Sequence, residues 1–441
     1  HSIQRRKQRM SSTAVKLLVT LLITGSLASR VASLAADVPS TSSGSSRATL
    51  DAPEPRDDWP QWRGPRRDGV SKETGLLKDW PANGPRLAWR IGGIGEGYSS
   101  FAVADRRLYT LGARQNTEYV FAFAAATGEK IWEVANGRRF NNDRGDGPRG
   151  TPTIDGDRVY VFGSSGDLTV LDAATGKVFW TQNLLQKYGG SNINWGLSES
   201  PLVLSDRIIV TPGGRGASIV ALRKKDGSLI WKSQSDEPGY SSALLHPVGT
   251  IQQAVVFTAE RALGIDVNDG RVLWSYNRVA NRTANIATPI ARGNHVFLSS
   301  DYGTGAGLLA LTPDGNGIKA REVYFTNEMR NHHASSVLVG DYLYGFSSTI
   351  LTAMHFETGK VAWRDRSVGK GSLVFADDRL YLFSENGVVG LAEANPQKYV
   401  EHGRFQLRTG NLPTWSHPVV SGGKLFIRDQ DTLYAYDVVA R

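Results

Sequence analysis

The sequence predicts an all-β chain, an eight-bladed β-propeller of four-stranded antiparallel blades, with the last blade closed by an N-terminal strand. Three observations carry this. The phrase LDAATGKVFW (171–180) has four relatives, FAAATGEKIW, LRKKDGSLIW, IDVNDGRVLW and MHFETGKVAW, each with Thr-Gly or Asp-Gly four residues before a Trp. The spacing of Trp89, Trp132, Trp180, Trp231 and Trp274 is 43, 48, 51 and 43 residues, a period that fits four short strands per repeat. Eight stretches of small residue, strand, polar turn and aromatic strand begin near Ser99, Thr151, Ser200, Ser241, Thr288, Ser335, Ser372 and His417.

Taken in chain order, the first expected element is a leader. RRKQR (5–9) precedes an apolar stretch of about a dozen residues, Leu17 to Ala28, the length of a signal-peptide core and short for a bilayer span. Small residues follow through Ala35 and Ala36, so residues 1–36 read as a signal peptide with translation starting at Met10, the rival reading being an uncleaved anchor. Residues 37–57, rich in Ser, Pro and Thr, read as a disordered linker. Residues 58–441 are the propeller. Within each blade the Gly of the repeated phrase supplies the positive φ of a hairpin turn. The eighth unit stops after three strands, and PRLAWR (85–90) is a Trp strand with no unit before it. Pairing the two closes the ring and removes a free sheet edge. Trp89, Trp132, Trp180, Trp231, Trp274 and Trp363 hold one place in the repeat, which marks them as structural docking residues rather than six sites.

The formal charge of +9 is concentrated at the start. Six basic and no acidic residues lie up to Ala36, and the remainder holds 45 basic against 42 acidic residues, roughly +3. That balance argues against nucleic-acid binding, which needs a clustered basic face. There is no Cys, hence no disulfide, no thiolate metal site and no lipid anchor through one. After signal cleavage nothing is expected to span a membrane. The chain is expected to be a periplasmic or secreted monomer.

The repeated phrase resembles the tryptophan-docking repeat of PQQ-type propellers, a superfamily that includes quinoprotein alcohol dehydrogenases and BamB. WPQWRGPRRDG (59–69) and NHHASSVLVGDYLYGF (331–346) look like bacterial exported PQQ-binding-like repeat proteins. The resemblance implies the fold from Trp59 onward; docking residues that hold blades together say little about activity.

Residues just before the first strand of each blade should ring one mouth of the channel. They are Tyr98, Arg149, Glu199, Tyr240, Asn285, His333, Lys370 and Trp415, with His332, Trp195 and Arg215 nearby. This mixture suits a flat anionic cofactor, a sugar or a peptide, and also an unoccupied polar mouth. No metal site is expected: His332 and His333 point to opposite faces of a strand, and NDRGDG (142–147) has Arg144 at a ligand position of a calcium loop. YGTGAG (302–307) has no following helix to make a phosphate cradle. No GxSxG nucleophile elbow appears, and no catalytic residue is assigned.

Three functions follow. The leading one is an exported, non-catalytic scaffold that binds a protein partner in the cell envelope, without a cofactor. The alternative, implied by the resemblance, is a PQQ- and Ca²⁺-dependent alcohol or sugar dehydrogenase. In it Glu199 and Asn285 would ligate the cation and Asp301 would be the base. Trp195 or Trp415 would form the floor, and Arg149 or Arg215 would take the cofactor's carboxylates. The third function is a polysaccharide-binding module.

Overall fold

The computed structural model describes residues 58–407 and 409–440. The expected signal peptide (1–36), its start at Met10 and the linker (37–57) lie outside the described residues. Eight four-stranded antiparallel sheets follow one another along the chain. Blades 1 to 7 span residues 102–138, 153–183, 202–233, 244–276, 290–326, 337–365 and 371–406. Blade 8 takes three strands from 419–437, and its outermost strand, Arg86–Ile91, comes from the other end of the chain and pairs with Thr432–Asp437. The ring therefore closes by hydrogen bonds, as the surplus PRLAWR strand required. The one α-helix among the described residues, Leu184–Tyr188, is a single turn after blade 2, capped by the Asn183 side chain.

The recurring phrase has a tertiary cause. Trp89, Trp132, Trp180, Trp231 and Trp363 each donate from Nε1 to a backbone carbonyl of the following blade: Ala125, Ala173, Lys224, Val267 and Asn395, at 2.8 to 3.1 Å. Except at Trp363, whose partner turn has no Gly, the indole lies on that blade's turn Gly. A Cβ on Gly176 would sit 2.8 Å from the Trp132 ring, and one on Gly270 2.5 Å from the Trp231 ring, at φ of +74° and +77°. Gly is thus selected twice, by turn conformation and by the neighbour's indole. Gly and Trp act as partners between units, although they are written together within one. Trp274 departs from this scheme and bonds the Gln253 side chain of its own blade at 2.7 Å. The next blade has ten-residue outer strands, Gly305–Asp314 and Gly317–Thr326, and its turn Gly315 meets nothing. Trp274 still packs among Val296, Leu298 and Leu309 of that blade. Where blade 5 lacks a Trp, Tyr324 takes the role, its hydroxyl donating to Phe356 O at 2.7 Å.

The segment 59–71 is the second organising feature. It crosses the centre of the ring and touches every blade. Trp59 pairs with Val103 of blade 1, and Pro60 O accepts from Ile154 N of blade 2. The Arg67 guanidinium donates to Ser200 O and Pro201 O of blade 3 and to Ala243 O of blade 4. Trp62 Nε1 donates to Thr288 Oγ1 of blade 5 at 2.9 Å, and its ring lies 4.5 Å from that of His417, just before blade 8. Arg63 donates to Ser335 O and Ser336 O, entering blade 6. Val70 bridges Phe375 of blade 7. Short first strands converge at a propeller axis, where they leave carbonyls unpaired. Two fully buried guanidiniums, five donors each, satisfy them.

Candidate functional site

Above this segment the channel opens into a cavity of about 480 Å³. Trp62 forms part of its lining, and behind Trp62 the channel is filled by Arg63 and Arg67, 3% and 2% exposed. The cavity gathers eight of the eleven ring residues expected from the sequence: Tyr98, Arg149, Trp195 and Tyr240 on one side, His332, His333, Lys370 and Trp415 on the other. They converge because the residue before each first strand is the last one the chain places at the axis before turning outward.

Three expected residues are elsewhere. Glu199 is sealed below the lining, 3% exposed, and accepts from Thr211 N at 2.7 Å. Burial holds its carboxyl up at about 8, against the opposing effects of the Thr211 N–H and the Arg67 charge. Asn285 is fully buried and its amide donates to Thr258 O, Ala259 O and Asn281 O, so it braces a loop. Arg215 is exposed on the Gly214–Ala217 hairpin, away from the cavity lining. Asp301, the expected base, also lies outside the lining and accepts from Ser348 Oγ at 2.9 Å. Glu199 and Asn285, expected to hold Ca²⁺ with PQQ, thus lie off the cavity lining with their polar atoms bonded to protein, and as placed they do not present that group with ligands. Among the described residues no three His, Asp or Glu side chains form a metal-holding cluster.

Sequence reasoning missed several lining residues. Trp62 and His417 belong to this group, as do Tyr302 and Arg144. Trp62 comes from the crossing segment, which no repeat-based reasoning could place. Arg144 comes from the NDRGDG turn, where Gly145 lies against Tyr98.

The aromatic side chains form a bowl. Tyr98 and Trp415 lie 5.0 Å apart with planes tilted by 41°, Trp195 and Tyr240 5.6 Å and 47°, Tyr302 and His332 5.1 Å and 45°. Their polar tips are committed to protein: Tyr98 Oη donates to Arg144 O, and Trp415 Nε1 donates to Glu385 Oε1 at 2.6 Å. The Tyr98 ring is 6% exposed with the Arg149 guanidinium 5.5 Å over it, whereas Trp195, Tyr240 and Trp415 are half-buried and turn surface to the cavity. The Arg149 guanidinium is spent on Trp195 O, Gly145 O and Gly147 O, and burial lowers its pKa. Lys370 pairs with Glu385 at 3.0 Å. Burial pushes the His333 imidazole well below its usual range, reinforced by His332, His417 and Lys370, so it is neutral. Among the described residues no Asp or Glu lines the cavity.

A family model described as outer membrane protein assembly factor BamB matches residues 116–365. Curated relatives of that name include one from Shewanella oneidensis, 23% identical over 216 residues. That match covers 48% of this chain and 51% of the relative, about half its length. One from Yersinia pestis is 24% identical over 362 residues, covering 78% and 86%. Among solved structures, BamB from Moraxella catarrhalis aligns with a TM-score of 0.58 at 14% identity, covering 80% of this chain and 99% of that one. Quinohemoprotein alcohol dehydrogenase from Comamonas testosteroni gives 0.59 at 14%, covering 87% and 81%. At such identities the structural likeness establishes the propeller and no activity. The family model spans more than half of the chain, and the chain belongs to the family it describes, that of outer membrane protein assembly factor BamB.

Proposed function

We propose that the protein is an exported, non-catalytic propeller that serves as an interaction scaffold in the cell envelope, with a periplasmic location. Family membership supports this, and so does the outer rim. Leu87, Ile131, Phe179 and Leu229, each 41 to 44% exposed, lie on the outermost strands of four successive blades, 8, 1, 2 and 3. An arc of exposed apolar side chains beside unpaired strand edges is a surface suited to a protein partner. Among the described residues no helix is long and apolar enough to cross a membrane.

The alternative reading, a PQQ-dependent dehydrogenase, draws on the fold shared with the quinohemoprotein enzyme. Against it stands the cavity wall, which among the described residues presents no carboxylate to accept a substrate proton. Chemical crosslinking and co-purification from envelope extract test the scaffold reading. A specific partner should be retained by the parent and lost in the double variant Ile131→Glu, Phe179→Glu at unchanged melting temperature. Retention of every partner by that variant, or PQQ-dependent alcohol oxidation by the parent, would refute it.

A further inference from the structure

The cavity carries an inference beyond the scaffold reading and independent of it. Its volume lies within the range of about 300–1,000 Å³ typical of small-molecule sites. Two features narrow its occupant. The first is shape. A flat aromatic ligand wants two parallel walls, whereas these rings are tilted to each other by 34° to 86° around the bowl. Such a surface fits a puckered saturated ring, whose axial C–H bonds meet different aromatic faces from different directions.

The second is polarity. The His333 side chain is 8% exposed and lines the cavity with its carbon edge, while both ring nitrogens are sealed in the wall without a hydrogen-bond partner, Nδ1 lying 3.8 Å from Glu385 Oε1. Buried polar atoms are rarely left so. Turned toward the cavity, the neutral imidazole would offer one donor and one acceptor, the pair of roles a ring hydroxyl also fills. The charge of the lining is positive. Arg144 is exposed at the rim, and its side chain has no carboxylate partner among the described residues. Arg149 is likewise bonded only to carbonyls.

We propose that the cavity binds a single carboxylated pyranose, a hexuronic acid. Its ring rests against Trp415 and Trp62, its hydroxyls pair with the His333 imidazole once that ring turns toward the cavity, and its carboxylate faces Arg144. Because Trp62, Arg63 and Arg67 close the channel behind it, the site is a dead end that takes the uronate either as a free sugar or as the end of an acidic polysaccharide.

Calorimetric titration of the full chain with D-glucuronate, D-glucose, a uronic-acid oligosaccharide and quinoline-2-carboxylate tests this. Glucuronate should bind saturably and glucose about tenfold or more weaker, and Arg144→Ala should weaken glucuronate by about tenfold without moving the melting temperature. Trp415→Leu should abolish binding; because that variant also touches packing, Arg144→Ala is the deciding one. Tighter binding of the oligosaccharide than of glucuronate assigns the chain end, and equal binding assigns the free sugar. The proposal falls if no uronate saturates by about 10 mM, if Arg144→Ala changes nothing, or if quinoline-2-carboxylate binds more tightly. The rim double variant reads the scaffold function separately and should bind glucuronate like the parent.

Discussion

At the residue scale, the centre of the ring is governed by buried ionisable groups. Arg63 and Arg67 have their pKa values lowered by burial to about 10, which leaves both charged at neutral pH. Arg67 satisfies three carbonyls of two blades, and losing the donor strands them in the interior. Arg67→Met is therefore expected to cost about 3 kcal/mol or more, seen as a lower urea midpoint. Glu199 adds a pH dependence. Its native pKa of about 8 exceeds the ordinary 4.5, so between those values the native state holds a proton that the unfolded state releases. Its contribution is fully present below about pH 4.5 and is lost as pH rises through about 8. Glu199→Gln should flatten this decline, so that thermal melts of variant and parent separate progressively from pH 5 to pH 9. Equal pH slopes would contradict the assignment. Glu118, held at about 8 by burial in the same way, contributes in the same direction and stays in both proteins.

At the scale of elements, the docking contact between blades couples residues from different repeats. Trp231 donates to Val267 O at 2.9 Å and covers Gly270. Gly270→Ala should cost about 2 kcal/mol or more, combining a positive-φ penalty with a clash. In a Trp231→Ala background the clash disappears and only the backbone penalty of about 1 kcal/mol remains. A double-mutant cycle by chemical denaturation should show that difference, and simple additivity would exclude the pairing. Trp274, bonded within its own blade, provides the contrast: Gly315→Ala, in a turn that meets no neighbour, should show no coupling to it.

At the scale of the whole molecule, two devices hold the ring: the strand Arg86–Ile91 completes blade 8, and the crossing segment 59–71 ties all eight blades at the axis. Removing residues 1–57 should leave a folded monomer. Removal through residue 91 takes away both devices, exposes an unpaired edge on Thr432–Asp437, and should give an aggregating protein by size-exclusion chromatography. A monodisperse, cooperatively melting product from the longer truncation would show that neither device is needed.

Periodicity alone determined the blade count, the strand order and the non-covalent closure. These depend on turn Gly residues, apolar alternation and a surplus Trp strand, all local features that recur at a fixed spacing. The same logic located eight cavity residues, because position within a repeat maps to position around the axis. It failed for Glu199 and Asn285, which share that position but turn into the structure to satisfy Thr211 N and neighbouring carbonyls. It failed for Arg215, a hairpin residue. Only the tertiary structure decided that WPQWRGPRRDG crosses the channel, that Trp62 helps line the cavity, and that Arg63 and Arg67 fill the space behind it. That segment occurs once, so it has no period to reveal it; its conformation is set by carbonyls contributed by distant blades, which become neighbours only when the ring closes.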